Sequence, residues 1–282
     1  MTQYFSNQVT IITTGAGSGM GRAYALAFAQ LGAKLGLNDF NQTGLNETIE
    51  RIKKQSPNCT IVSEVFDVSD QNKMLGFADL CQKKLGNAFV VINNAGIEGA
   101  YTPAWLMDLS SYERAMKINF FGVVSGTRAF LPQLLSKNKG HIVNVSSIFG
   151  LVGTPNHSDY CASKFAVRGF SEALMCELQN SGVQVHLLHP GGIDTNIVQS
   201  TNGQAFSKNY LKTSPEQITA HLIKHIEKGT TRIVYGNNSL KIWLGSKLVP
   251  LKILNKFIWS DMKKVIDQKP YNLIKLKKGL FK

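Results

Sequence analysis

The chain has 282 residues, of which 43% are hydrophobic and 17% are charged, and its formal net charge is +13. This length is enough for one large α/β domain or two small ones, and no internal repeat or low-complexity tract interrupts it. The first residues lack the basic and apolar regions of a secretory signal, and no apolar stretch is long enough to span a bilayer, so we expect a cytoplasmic protein.

Short apolar runs alternate with longer amphipathic segments along the chain. The runs are rich in Val, Ile and Leu, as buried parallel strands are, and the longer segments have helical spacing. Predicted strands cover residues 9–13, 34–38, 60–66, 89–93, 141–145, 183–188 and 232–235, and predicted helices cover 21–31, 41–55, 70–85, 111–135, 160–180 and 215–228. This alternation predicts a single α/β domain, a doubly wound parallel sheet of about seven strands with helices on both faces.

A glycine-rich turn, Thr14-Gly-Ala-Gly-Ser-Gly-Met-Gly21, follows the first predicted strand and opens the first helix. Glycines let the backbone approach a pyrophosphate, and the helix N-terminus offers free N–H groups and a positive dipole end. Ser18 and Met20 should line the same turn. Tight turns also need glycine for steric reasons alone. The placement between a strand and a helix nevertheless favours a dinucleotide site in a Rossmann-like fold.

The second predicted strand ends at Asn38-Asp39-Phe40-Asn41. An Asp at this point can accept both ribose hydroxyls of NAD and repels the 2′-phosphate of NADP. The alternative is that Asp39 caps the following helix or forms a turn. The sequence therefore predicts NAD as the cofactor, with NADP as the alternative.

Tyr160 and Lys164 lie four residues apart in Tyr-Cys-Ala-Ser-Lys, thirteen residues after Ser147. This spacing places the phenol and the ammonium on one face of a helix. A free phenol has a pKa of about 10, so proton exchange near pH 7 needs about 4 kcal/mol in favour of the phenolate. A nearby ammonium supplies part of that energy. An isolated pair of this kind is common on helices, and its meaning depends on the rest of the chain.

The sequence predicts no metal site and no disulfide. Cys59, Cys81, Cys161 and Cys176 form no Cys-x-x-Cys pair, which is typical of reduced thiols. His221 and His225 are four residues apart, but no acidic residue accompanies them as in His-Glu-x-x-His, so we interpret them as surface histidines.

The chain after residue 239 forms a basic extension, and we divide the protein into a catalytic domain at 1–239 and an extension at 240–282. From Lys241 to Lys282 there are eleven lysines against Asp261 and Asp267, which is +9 of the net +13. Apolar residues at helical spacing separate the lysines, with a break at Pro250, so the pattern indicates amphipathic helices and not a nucleic-acid-binding run. Three uses compete: packing over a substrate cleft, docking to another subunit, or peripheral contact with an anionic membrane.

Six motifs together resemble the short-chain dehydrogenase/reductase family, in its branch with the shorter glycine motif, over about residues 5–236. They are Thr14-Gly-x-x-x-Gly-x-Gly21, Asn93-Asn-Ala-Gly96, Asn119, Ser147, Tyr160-x-x-x-Lys164 and Pro190-Gly191. The resemblance implies that Tyr160 is the acid/base and that Ser147 positions the same substrate oxygen. It further implies that Lys164 binds the nicotinamide ribose and lowers the pKa of Tyr160, while Asn119 holds a water that relays protons.

The resemblance also implies cofactor contacts along the crevice. Asp67 and Val68 match the adenine-binding position, and the Pro-Gly loop contacts the nicotinamide carboxamide. NADP-preferring relatives usually carry Arg or Lys where this chain has other residues, which favours NAD. The expected cofactor-binding set is Gly15, Ser18, Gly19, Met20, Gly21, Asp39, Asp67, Val68, Asn94, Ala95, Gly96, Tyr160, Lys164, Pro190, Gly191, Ile193 and Thr195.

The implied function is an NAD(P)-dependent oxidoreductase that interconverts a secondary alcohol and a ketone by hydride transfer. One alternative is an NADP-dependent reductase of 3-oxoacyl thioesters, and another is a dinucleotide-binding regulator without turnover. Apolar residues between Ser147 and Tyr160 and in segment 196–214 predict an apolar alcohol or ketone as substrate. Relatives commonly form homodimers or homotetramers through the two helices predicted at 111–135 and 160–180, so we expect an oligomer here.

Overall fold

The computed structural model describes residues 3–13, 15–198 and 200–272, so Thr14 of the glycine turn and residues 273–282 of the predicted extension lie outside it. Within those residues, parallel strands form one sheet in the order β3-β2-β1-β4-β5-β6-β7. The strands are β1 (Val9–Thr13), β2 (Lys34–Asp39), β3 (Ile61–Val65), β4 (Ala88–Asn93), β5 (Gly140–Val145), β6 (Val183–Pro190) and β7 (Arg232–Tyr235). The strand order reverses between β1 and β4, and ligands bind beside this point at the carboxyl ends of the strands. The predicted fold class is confirmed.

Helices surround the sheet, and each predicted helix is present with its ends moved by a few residues. They are α1 (Gly19–Gln30), α2 (Gln42–Gln55), α3 (Gln71–Leu85), α4 (Leu109–Ala115), α5 (Gly122–Ser136), α6 (Ser158–Glu177), α7 (Gln204–Tyr210), α8 (Pro215–Glu227), α9 (Ser239–Leu248) and α10 (Leu251–Met262). The helix predicted at 111–135 is not regular, because a π-helical turn, Met116–Phe121, joins α4 to α5. Such turns are rare and often mark functional sites.

The two faces of the sheet carry separate cores, as the alternation of side chains along a strand requires. On β4, Val90 and Ile92 face a core shared with α1, α2 and α8. Val91 of the same strand faces the other core, which α3, α5 and α6 complete. Because both faces are covered, the strands are apolar throughout, which explains their short continuous hydrophobic runs.

A chain of buried polar side chains crosses the sheet at the opposite end from the glycine turn. His186 Nδ1 donates to the Thr230 carbonyl at 2.7 Å, so its Nε2 accepts from His141 Nδ1 at 3.0 Å. His141 Nε2 therefore accepts from the Tyr4 hydroxyl at 2.7 Å. Burial lowers the pKa of both histidines, that of His141 to about 3, so both imidazole rings are neutral at pH 7.

The extension packs back onto the domain. The chain turns at Pro250, between α9 and α10, as the sequence predicts. Met262, at the end of α10, and Ile266 beyond it are buried against Tyr101. Two hydrogen bonds hold this contact, from the Tyr210 hydroxyl to Asp261 Oδ2 at 2.9 Å and from the Tyr271 hydroxyl to Asn156 Oδ1 at 2.5 Å. No described helix combines the length and the apolar character that crossing a bilayer would need.

Candidate active site

The glycine turn between β1 and α1 has a backbone that side chains would block. Gly15 and Gly19 have φ values of +71° and +47°, in the left-handed region that favours glycine. A Cβ at Gly21 would lie 2.0 Å from the Gly15 carbonyl oxygen. Ser18 stands at the N-cap of α1, and its side chain makes no capping hydrogen bond there. The first N–H groups of α1 therefore face the turn without a side-chain cap, as a pyrophosphate site requires.

Asp39 ties the glycine turn to the end of β2. Its carboxylate is almost fully buried and accepts the N–H of Gly17 and the N–H of Asn41, each at 2.8 Å. The cap of α2 is Asn41, whose side chain accepts from Gly44 N–H at 3.0 Å. The alternative that Asp39 caps this helix is therefore wrong, although the Asn41 contact is a local turn. A carboxylate has about four acceptor positions, so Asp39 retains capacity for ribose hydroxyls.

Arg22 follows the glycine turn directly in the chain, and protein groups already engage it. Its Nε donates to Thr48 Oγ1 at 2.9 Å, and its guanidinium also donates to the Gly17 and Gly44 carbonyls. It forms an ion pair with Glu47 at 3.0 Å. Arg22 therefore braces the turn against α2. No sequence pattern indicates this role, because all the partners of Arg22 except Gly17 lie more than 20 residues away along the chain.

Ser147 and Tyr160 meet where β5 ends and α6 begins. The Ser147 hydroxyl lies at the end of the strand and accepts the Phe149 N–H at 3.1 Å. Burial raises the pKa of Tyr160 to about 12, while its hydrogen bond with Ser147 acts in the opposite direction. Desolvation of the phenolate therefore outweighs this hydrogen bond in the protein alone. A lowering of the Tyr160 pKa by Lys164 together with the bound nicotinamide stays a prediction.

Lys164 lies one helical turn from Tyr160 and is buried. Its Nζ donates to the Val145 carbonyl at 3.1 Å and lies 5.7 Å from the centre of the Tyr160 ring. Burial lowers the pKa of Lys164 to about 8. A Cβ at Gly96 would lie 3.2 Å from this Nζ, so the loop after β4 passes directly beside the ammonium.

Asn119, in the π-helical turn, has most of its amide occupied by protein groups. Its Nδ2 donates to the Ile97 carbonyl at 3.1 Å and to Ser163 Oγ at 3.0 Å, and its Oδ1 accepts from Ile97 N–H at 2.8 Å. The amide oxygen retains one acceptor position. It lies 3.6 Å from the point where a Gly96 Cβ would stand, beside Lys164. Asn119 thus positions the loop after β4, and only that oxygen can serve a water relay through its side chain.

The remaining predicted cofactor residues follow the carboxyl ends of β3, β4 and β6. They are Asp67, Val68, Asn94, Ala95, Gly96, Pro190, Gly191, Ile193 and Thr195. Asp67 Oδ1 accepts from Ser69 N–H at 2.8 Å and forms a local turn. A Cβ at Gly19 would lie 3.0 Å from Thr195 Cγ2, so the loop after β6 reaches the glycine turn. The loop after β6 thus lies beside the glycine turn, at the carboxyl ends of the strands.

Aromatic rings continue this crevice away from Tyr160. The Phe149 ring lies 6.2 Å from that of Tyr160 and 5.1 Å from that of His157. His157 in turn lies 5.1 Å from Phe206 and 4.6 Å from Tyr101. Burial lowers the pKa of His157 to about 4, so it is neutral at pH 7. The rings form an uncharged wall beside the reactive hydroxyls.

Three residues that support the site were not predicted as site residues from the sequence. Asp159 is buried and accepts from Ala100 N–H at 2.9 Å, Ser111 Oγ at 2.5 Å and Tyr160 N–H at 2.7 Å. His189 donates from Nδ1 to the Ser147 carbonyl at 2.8 Å. Tyr101 has a φ of +56° and packs on His157. Among these three residues, only Asp159 carried a signal in the sequence, as an acidic residue next to Tyr160.

Comparisons with known proteins agree with this geometry. The family model described as short chain dehydrogenase matches residues 9–205. Over 246 residues the chain is 38% identical to SadH of Mycobacterium tuberculosis, whose name gives it as an oxidoreductase, covering 82% of this chain and 87% of that protein. It is 35% identical over 194 residues to epidermal retinol dehydrogenase 2 of Mus musculus, covering 67% and 62%. The crystal structure of a Burkholderia phymatum short chain dehydrogenase/reductase in complex with NAD superposes with a TM-score of 0.76 at 27% identity, covering 83% and 90%.

Proposed function

Since the chain belongs to the short-chain dehydrogenase/reductase family, we propose that it is an NAD-dependent oxidoreductase that interconverts an apolar secondary alcohol and its ketone. The observation that carries this proposal is the arrangement of Ser147, Tyr160 and Lys164. Ser147 and Lys164 are buried, Tyr160 is partly buried, and the loop after β4 passes beside Lys164. That loop in turn reaches the glycine turn, because a Cβ at Gly15 would lie 2.6 Å from Asn94 Nδ2.

Different side chains position the substrate oxygen, accept its proton and pass that proton on. When bound, the oxidised nicotinamide supplies the hydride acceptor and a positive charge near Tyr160. Ser147 Oγ holds the substrate oxygen by a hydrogen bond, and the Tyr160 phenolate takes the hydroxyl proton as the carbon loses its hydride. Lys164 contributes a second positive charge, and the free acceptor position on Asn119 Oδ1 offers a way for the proton to leave through water. Reduction of the ketone runs through the same groups in reverse.

The choice of NAD follows from the end of β2. A 2′-phosphate here would meet the buried Asp39 carboxylate, and like charges in a buried site repel strongly. Arg22, which follows the glycine turn, is engaged by Glu47 and by the carbonyls of Gly17 and Gly44. This combination supports NAD over NADP and weighs against an NADP-dependent thioester reductase.

The proposed apolar substrate fits the uncharged wall of the crevice. Phe149, His157 and Phe206 are ring neighbours. Ile242 of α9 joins the cluster formed by Phe149, Cys161 and Tyr160, so the extension contributes to the substrate side. The name of the murine relative, a retinol dehydrogenase, gives an apolar alcohol as its substrate. We therefore assign 1–239 to the catalytic domain and 240–282 to an extension, whose described part packs on that domain.

The proposal includes a cytoplasmic homodimer or homotetramer. Exposed apolar side chains on α5 and α6, among them Leu135 and Phe165, together with Phe121 of the π-helical turn, offer a subunit interface. Sedimentation of the purified protein would give the oligomeric state.

A panel of alcohols tests the proposed activity. Sterol, retinoid, aliphatic and sugar alcohols are assayed with NAD and with NADP while the reduced nicotinamide is measured. We expect turnover with NAD on one of the apolar classes. Turnover confined to sugar alcohols would reject the apolar substrate, and turnover only with NADP would reject the cofactor assignment. Tight NAD binding without turnover on any alcohol or matching ketone would favour the regulator without catalysis.

A further inference from the structure

The C-terminal hairpin of α9 and α10 has two apolar sides, and only one of them packs against the protein. Its inner side contacts the domain through Ile242, Ile258 and Met262. The other side, which we call the outer face, is exposed to solvent. Its residues are Leu240, Leu244, Leu248, Leu251, Ile253 and Phe257. Leu248 and Phe257 are 76% and 67% exposed, and large apolar side chains grouped at such exposure mark an interaction site.

The outer face is continuous along the hairpin. Leu240, Leu244 and Leu248 are spaced by four residues, so they form one stripe on α9. Ile253 and Phe257 repeat that spacing on α10. The two helices touch each other, because a Cβ at Gly245 would lie 3.4 Å from Leu254 Cδ1. The stripes therefore belong to one small, compact surface.

The charges around the outer face are all positive. Lys241, Lys247, Lys252 and Lys256 are exposed between and beside its apolar residues, and no acidic residue occurs between 239 and 260. The first acidic side chain, Asp261, accepts from the Tyr210 hydroxyl and from Lys264 Nζ, so its charge is paired within the protein. Lys247 Nζ lies 4.4 Å from the Trp243 ring, which places a cation and an indole at the same level. Apolar stripes bordered by lysines and Trp are typical of helices that lie in a membrane interface.

A second copy of the chain fits this surface poorly. Two outer faces placed together would bring the four lysines of each copy against those of the other, and like charges across an interface are repelled. An anionic lipid surface instead satisfies both features, because its headgroups attract the lysines and its acyl region receives the leucines.

We propose that the outer face docks the protein on the surface of an anionic lipid bilayer. Because α9 also carries Ile242 in the cluster around Tyr160, docking would bring the substrate crevice within about one helix diameter, roughly 10 Å, of the lipid. An apolar alcohol or ketone dissolved in the membrane is then the natural substrate. This last point rests on the proposed function, whereas the docking itself does not.

Co-sedimentation of the full chain with vesicles tests the docking. Vesicles of phosphatidylcholine with phosphatidylglycerol are compared with vesicles of phosphatidylcholine alone. We expect the protein to sediment with the anionic vesicles, and binding to weaken as salt is raised. The double variant Leu248→Asn/Phe257→Asn should bind at least ~10-fold more weakly. Leu75→Asn, on the exposed side of α3 at 53% exposure, is the matched control and should bind like the wild type.

Two further variants separate the electrostatic part of the docking from the proposed catalysis. Replacing Lys241, Lys247, Lys252 and Lys256 by Gln should remove the preference for anionic vesicles. Tyr160→Phe should bind vesicles like the wild type, so a failure of the proposed catalysis cannot be mistaken for a failure of docking. The proposal is overturned if the wild type sediments with neither vesicle, or if the Leu248/Phe257 variant binds as well as the wild type. It is also overturned if that variant lowers the oligomer mass in sedimentation without altering vesicle binding.

Discussion

The two sides of the crevice are built in different ways. The cofactor side depends on backbone positions where one residue type fits, such as Gly21, whose Cβ would overlap the Gly15 carbonyl. The substrate side depends on side chains brought together from remote segments, including Phe149, Phe206 and the extension. The first side has little freedom to vary, whereas the second can change its specificity through loop and tail residues while the chemistry stays the same.

Acid should destabilise the folded protein through its buried histidines, of which His157 lies on the substrate side. Burial holds the pKa of His141 at about 3 and those of His157 and His189 at about 4, below the ordinary 6.5. Below pH 6.5 the unfolded chain therefore binds protons that the folded chain does not, and stability falls toward pH 4. Each histidine contributes a slope of up to about 1.4 kcal/mol per pH unit.

Urea unfolding between about pH 7.5 and about pH 5 measures this slope. His157→Asn should reduce the slope of the unfolding free energy against pH by the contribution of one histidine. A free energy of unfolding that stays constant over this range would contradict the neutral, buried state of these rings.

Gly21→Ala tests the cofactor side. The added Cβ overlaps the Gly15 carbonyl, so the turn must open at a cost of about 3 kcal/mol, which corresponds to a ~100-fold loss of NAD affinity. Gly76→Ala on α3 is the matched control, since a Cβ there meets nothing within 4 Å. Calorimetric titration with NAD compares the two. Unchanged affinity in Gly21→Ala would mean that the turn does not hold the dinucleotide.

Asp39→Ala should shift the preference between cofactors. Removal of the carboxylate takes away the ribose acceptor and the repulsion of a 2′-phosphate, so the ratio of kcat/KM for NAD to that for NADP should fall at least ~10-fold. Asp67→Ala removes another carboxylate at a strand end and should leave this ratio unchanged. An unaltered ratio in Asp39→Ala would show that Asp39 holds the turn through its hydrogen bonds with Gly17 and Asn41 and does not select the cofactor.

Tyr210→Phe should give the smallest effect, on the extension alone. It removes the hydrogen bond to Asp261, at a cost of about 1 kcal/mol. Amide hydrogen exchange in α10 should accelerate by about fivefold, while exchange in β4 stays the same. Equal acceleration in both elements would show that the extension and the domain unfold as one unit.

The sequence predicted the cofactor side more completely than the substrate side, for a physical reason. The glycine turn, Asp39 and the Tyr160/Lys164 pair are local patterns in which spacing determines geometry. Asp159 meets Ser111 across 48 residues, and Tyr271 meets Asn156 across 115. Contacts between such distant residues leave no periodic pattern in the sequence. Burial, which raises the pKa of Tyr160, is likewise a property of the folded chain that local spacing does not record.

Tyr160→Phe tests the central claim most directly. Tyr235→Phe is the control for the loss of a phenol outside the crevice. The measurement is steady-state turnover on the best alcohol of the panel, together with NAD affinity for each variant. The account predicts that Tyr160→Phe lowers kcat at least ~100-fold while NAD affinity stays within about twofold, and that Tyr235→Phe retains both. Turnover by Tyr160→Phe at the wild-type rate would contradict the assignment of Tyr160 as the acid/base.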